Sequence, residues 1–137
     1  MKKMNKKLIG RIEKVNFPQL GIPTLKAKVD TGAYSIALHV DYLRVCSGKL
    51  HFRIGDSKFV YDKFKSIEIK NSFGQEQKRF CIFTLISIGN SKYKVHISLT
   101  NRKKMKYPVL IGRRFLSKFN YLVDVKKKYV NDTDKKV

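Results

Sequence analysis

The run Lys26, Ala27, Lys28, Val29, Asp30, Thr31, Gly32, Ala33 is an alternating strand that stops at an acid, a small hydroxyl residue and a glycine. An acid at a strand end, followed by a glycine, puts one carboxylate on a turn that another backbone can approach closely. By itself Asp-Thr-Gly is also an ordinary turn, its acid capping backbone amides. One carboxylate is a poor catalyst of amide hydrolysis, but two that share a proton can act together. One accepts a proton from water while the other donates to the carbonyl oxygen, and their repulsion splits the titration into coupled steps. A second signal lies far downstream, where Tyr107, Pro108, Val109, Leu110, Ile111 form an apolar run closed by Gly112 and Arg113.

The two segments in this order resemble the retropepsin-like aspartic proteases, in which an apolar-apolar-glycine strand passes beside an Asp-Thr-Gly loop. Asp30 to Val40 reads DTGAYSIALHV and Leu99 to Val125 reads LTNRKKMKYPVLIGRRFLSKFNYLVDV. Both are similar to the bacterial retropepsin-like family labelled ATP-dependent zinc protease, which accompanies ligases that add glutamate to a ribosomal protein. Ile9-Gly10-Arg11 and Leu20-Gly21-Ile22-Pro23 are similar too, so the resemblance covers residues 8–130. It implies an all-β fold, a closed retropepsin-like barrel with a short C-terminal helix. Asp30, Thr31 and Gly32 would be catalytic, with Asp30 from each of two subunits forming the pair across a twofold axis. Thr31 would support that pair by hydrogen bonds made beneath it, and Gly32 would let substrate approach. Ala33, Phe73, Gly74, Ile111, Gly112 and Arg113 would contact substrate. After Ala33 the family carries a basic residue and then Thr-Ser; here Tyr34, Ser35 and Ile36 follow, a departure that bears on local hydrogen bonding and side-chain specificity.

These residues need a scaffold, and alternation supplies it. A chain of 137 residues fits one domain and is too short for a two-lobed, two-aspartate enzyme, so Asp30 must find its partner on another chain. Leu50, Phe52 and Ile54 share one strand face, Ile67 and Ile69 another, and Tyr93, Val95, Ile97 and Leu99 form the cleanest period-two stripe. Gly89, Asn90 and Ser91 turn a hairpin between the apolar run Phe80 to Ile88 and that stripe. Asn71 to Gly74 turn another, from about Ser66 to Arg79, in the place expected of a flap that closes over substrate. Arg113 to Phe119 is the best helix candidate; Tyr34 to Leu43 reads either as extended chain or as a turn of helix. The expected domain is 8–130, between disordered basic tails at 1–7 and 131–137.

Lys and Arg total 31 against 10 acids, a formal net charge of +21. Such an excess draws polyanions, so nucleic acid, a ribosome surface and poly-acidic peptides are all compatible partners. Arg102, Lys103, Lys104, Lys106, Arg113 and Arg114 cluster around the Gly112 strand and would favour acidic side chains; together with the ligase association of the family it resembles, this implies glutamate-rich or poly-glutamate substrates. A hydrophobic share of 42% favours a folded protein over a basic disordered one. The competing reading is a non-catalytic basic β-barrel module that binds RNA, ribosome or acidic protein, with Tyr93, Phe80 and Phe83 able to stack bases. In the strand reading, however, those three rings face the core. No cofactor is expected: no phosphate-binding glycine loop is present, and His39, His51, His96, Cys46 and Cys81 lack metal-ligand spacing. Two cysteines without a framework read as free thiols, and no apolar run reaches membrane-span length, so a cytoplasmic location is expected.

Overall fold

Period-two alternation becomes strand almost everywhere it occurs. The computed structural model describes residues 5–70, 73–101 and 106–132. Within them lie β1 (Lys7–Asn16), β2 (Leu25–Val29), β3 (Ile36–His39), β4 (Tyr42–Cys46), β5 (Lys49–Ile54), β6 (Ser57–Tyr61), β7 (Lys65–Lys70), β8 (Glu76–Ile88), β9 (Ser91–Thr100), β10 (Val109–Ile111), α1 (Arg113–Lys118) and β11 (Tyr121–Lys128). No helix among the described residues is long and apolar enough to cross a membrane. Tyr34 to Leu43 is extended chain, not helix: β3 lies inside it and β4 begins at Tyr42.

Eight strands form one mixed sheet in the order β11-β1-β2-β10-β3-β9-β8-β7. The all-β class and the short helix after Gly112 are as expected. Closure is slight: β1 meets β8 through Val15–Ile88 and Asn16–Ser87, while β11 and β7 continue past that junction as outer strands. The rolled sheet buries the predicted stripe, with Tyr93, Val95, Ile97 and Leu99 all in the core. A separate meander, β4-β5-β6, is attached through Leu50 and Phe52, whose side chains join the same core. Each contributes about 1.5–3 kcal/mol by leaving water. The β8–β9 loop has Gly89 at φ 59 in the first of its two positions, where a two-residue hairpin of the primed type wants a glycine.

Three expectations need correction. Phe83 does not face the core but is 53% exposed. The run from Phe80 to Ile88 is nearly all apolar, so alternation alone does not set its faces; Ile82, Thr84, Ile86 and Ile88 take the inside. Lys7, assigned to a tail, opens β1 and donates from Nζ to the Tyr93 hydroxyl at 2.9 Å. Asn131, likewise assigned to a tail, is tied into the fold by Glu13.

Glu13 is a fully buried acid in the middle of β1. A register shift between Gly10 and Ile12 marks an irregularity in β1 beside it. Its carboxylate accepts from the backbone N–H of Gly10 (2.7 Å), Val130 (3.2 Å) and Asn131 (3.1 Å), and from the Asn131 side-chain amide (3.3 Å). One acid thus fastens the C-terminal turn to the first strand. Glu13→Ala leaves those donors unpaired and is expected to cost about 3 kcal/mol, read as a lowered urea midpoint with an unchanged slope.

Candidate active site

The loop after β2 and the end of β10 meet because β10 is inserted between β2 and β3. β10 runs parallel to β2, in the register Val109–Ala27, Leu110–Lys28 and Ile111–Val29. It runs antiparallel to β3, pairing Val109–Leu38 and Leu110–Ala37. Asp30 and Gly112 therefore emerge at one end of the sheet. The Asp30 N–H donates to the Ile111 carbonyl at 2.9 Å, which ties the start of the loop to the last residue of β10.

The loop then folds over its own acid. Gly32 N–H donates to Asp30 Oδ1 at 2.9 Å and Ala33 N–H to the Asp30 carbonyl at 3.1 Å. Past Gly112 the returning chain crosses the loop, with Arg113 N–H on the Ala33 carbonyl (2.8 Å) and Arg114 N–H on the Tyr34 carbonyl (3.1 Å). Gly112 is buried at this crossing, and a Cβ on it would lie 2.6 Å from Ser35 O and from Tyr34 C. From the other side Arg113 Nη1 donates to the Gly32 carbonyl at 3.1 Å, while its guanidinium lies 5.4 Å from the centre of the Tyr34 ring. Charge-assisted bonding of this kind holds the loop by its backbone.

Of the residues singled out in the sequence, Asp30, Thr31, Gly32, Ala33, Ile111, Gly112 and Arg113 come together. Asp30 is half-buried, with one oxygen held by Gly32. Thr31 is exposed, and among the described residues its hydroxyl has no hydrogen-bond partner. Ile111 is fully buried, and its carbonyl accepts from the Asp30 N–H. Alternation along β10 puts Leu110, which the sequence reading passed over, on the more open side. Phe73 and Gly74 stand apart from this group in the chain, at the tip of the β7–β8 hairpin, with Phe73 87% exposed. The turn residues Asn71 and Ser72 lie outside the described residues, as do Arg102, Lys103 and Lys104 of the basic cluster. Tyr34 and Ser35 were missed as packing partners of Gly112, and the only signal for them was their departure from the familiar pattern.

Other chemistry-bearing side chains do not converge. Among the described residues no three of His, Cys, Asp and Glu are placed to hold a metal ion. His39 Nε2 lies 3.3 Å from Asp41 Oδ1, and Asp41 also accepts from Gly55 N–H, a bond that draws its carboxyl below the usual range. Both cysteines are free; burial raises the Cys81 thiol, whereas hydrogen bonding to Arg44 lowers that of Cys46 on the far meander. A cavity of about 210 Å³ is lined by Leu43, Gln77, Lys78, Arg79, Leu99, Thr100 and Asn101. It lies at the other end of the sheet from Asp30, since β3 and β9 run in parallel from Ile36–Ile97 to His39–Thr100.

Comparison with known proteins bears on this arrangement. A family model described as RimB-like, retropepsin-like aspartic endopeptidase RimB, matches residues 52–134. That span contains the β7–β8 hairpin and the Gly112 strand and begins after Asp30, which the backbone bonds above join to it. A probable alpha-L-glutamate ligase of Shewanella pealeana is 34% identical over 125 residues, covering 82% of this chain and 27% of that protein. One of Desulfotalea psychrophila is 33% identical over 120 residues, covering 79% and 26%. The chain thus spans about a quarter of the length of the curated relatives it matches. Among solved structures, a Legionella pneumophila protein of unknown function superposes with a TM-score of 0.73 at 26% identity, covering 93% of this chain and 100% of that one.

Proposed function

Because the chain belongs to the RimB-like family of retropepsin-like aspartic endopeptidases, we propose that it hydrolyses peptide bonds with a water held between the Asp30 carboxylates of two identical copies. The observation that carries this reading is the crossing of the Asp30 loop with the Gly112 strand, in which Asp30 N–H is bonded to Ile111 O and Gly112 is enclosed by Tyr34 and Ser35. Many turns contain Asp-Thr-Gly, but here the crossing ties the backbone on both sides of the half-buried Asp30 by hydrogen bonds. The aspartate needs only a second carboxylate to share a proton, and a symmetry-related copy supplies it.

In this mechanism one Asp30 takes the proton from water and the other gives its proton to the carbonyl oxygen of the scissile amide. The Gly32 N–H holds Oδ1 and so fixes the direction of the carboxylate. The exposed Thr31 hydroxyl is free to bond across the twofold axis and brace the loop opposite. The β7–β8 hairpin closes over the bound peptide and excludes water. Arg113 and Arg114 beside the loop favour acidic side chains, and the ligase names of the longer relatives point to the same chemistry. Glutamate-rich or poly-glutamate chains are the proposed substrates.

Such an enzyme is inert as a monomer. Its specific activity on poly-glutamate is expected to fall on dilution, through the same concentration range in which sedimentation shows dimer giving way to monomer. Hydrolysis at full specific activity by a strict monomer would overturn the paired-carboxylate mechanism.

A further inference from the structure

On the outer face of the sheet, Phe83 of β8 and His96 of β9 are register partners, with ring centres 4.7 Å apart. Cations from two other elements act on the His96 ring of this pair. Lys65 opens β7 opposite Cys81, two residues from Phe83, while Arg114 and Lys118 stand four apart on α1, a spacing that places them on one helix face. Partial burial of the imidazole, followed by the charges of Lys65, Arg114 and Lys118, holds His96 below its usual range, so the ring is neutral at pH 7. Among the described residues no carboxylate is among the charges that act on it. The ion pairs Lys14–Asp132 and Lys49–Asp62 and the His39–Asp41 contact lie elsewhere. Like charges gathered without a counter-charge repel one another, and a bound anion would relieve that repulsion.

The cluster is continuous with the Asp30 loop. Arg114 N–H donates to the Tyr34 carbonyl, and its guanidinium lies 5.7 Å from the Tyr34 ring, which Arg113 also faces. We infer that Lys65, Arg114 and Lys118, together with Phe83 and His96, form a docking site for an extended, carboxylate-rich peptide segment that leads into the Asp30 loop. An extended chain presents every second side chain on one side, about 6.7 Å apart, so its carboxylates can reach successive cations. The exposed Phe83 ring takes the methylene stems of glutamate, and neutral His96 donates one hydrogen bond to a carboxylate. Peptide is favoured over nucleic acid because the cluster adjoins a loop assigned to peptide chemistry, and because His96 already covers part of the ring face on which a base would stack. The inference therefore rests on the peptidase reading.

The test is fluorescence anisotropy at low salt with the Asp30→Asn chain, using labelled deca-glutamate and labelled decauridylate. The triple variant Lys65→Gln, Arg114→Gln, Lys118→Gln is expected to bind deca-glutamate about tenfold more weakly, and Phe83→Ala, which leaves the charge alone, about threefold more weakly. A control of equal charge loss, Lys58→Gln, Lys63→Gln, Lys127→Gln, should change binding less than about twofold. Equal weakening by both triples, no binding of deca-glutamate, or a greater loss for decauridylate than for the peptide would each overturn the docking site. Binding is read on a chain silenced for hydrolysis, so these outcomes are separate from failure of the peptidase reading, which would show as wild-type protein that cleaves no peptide.

Discussion

Asp30→Asn is expected to lower kcat for peptide hydrolysis by about 10³-fold or more, while the thermal midpoint stays within about 2 °C of the parent. Asparagine has the shape of aspartate, and its side-chain oxygen still accepts the 2.9 Å bond from Gly32 N–H. The backbone bond from residue 30 to Ile111 O is untouched, so the loop keeps its place. What disappears is the capacity to accept and return a proton at the reacting water. In the proposed dimer, two amides facing each other across the twofold axis would have no proton to share. The assay pairs hydrolysis of poly-glutamate with a thermal melt of the same sample. Normal turnover by the variant would remove Asp30 from the chemistry; loss of turnover together with a large drop in the midpoint would assign it a structural role instead.

The parts of this site that could be read from the sequence are those that depend on local pattern. Val29 to Gly32 announces a strand end carrying an acid, Val109 to Gly112 an apolar strand that must be approached closely, and Gly89-Asn90-Ser91 a hairpin with a short loop. Each follows from steric or periodic rules acting within a few residues. The remainder depends on register, which is long-range. Whether Phe83 or Ile82 faces inward is settled by the pairing of β8 with β9, and in a run of apolar residues composition is silent on it. Strand β10 shows a related limit: three residues offer too little alternation to tell that Leu110 takes the more open side and Ile111 the core. Glu13 gave no signal at all. An acid close to Arg11 and Lys14 in the same strand looks like a surface residue until the turn at Val130 and Asn131, more than a hundred positions later, brings donors to it.

Gly112→Ala is expected to be the most damaging single-methyl change in the chain, costing about 4 kcal/mol or more against a total stability of about 5–15 kcal/mol for a domain of this kind. The residue's own backbone is not at issue, since φ −86 and ψ 173 suit any L residue. The obstacle is its surroundings. An added Cβ would lie 2.6 Å from Ser35 O, 2.6 Å from Tyr34 C and 2.7 Å from Ser35 N, all main-chain atoms that cannot rotate aside. To admit it, the end of β10 must draw away from the segment leading into β3, which loosens the Arg113–Ala33 and Arg114–Tyr34 bonds and drags on the one from Asp30 to Ile111. Gly32→Ala provides the contrast. Its Cβ would meet only the Asp30 carboxylate, at 3.2 Å, a group that can turn by a few tenths of an ångström. That variant should keep its fold and lose activity by misdirecting the acid, whereas Gly112→Ala should lose both together, its midpoint falling by about 12 °C or the chain failing to fold. A Gly112→Ala protein that melted with the parent would mean that loop and strand do not cross here, and the placement of Asp30 would have to be abandoned with that crossing.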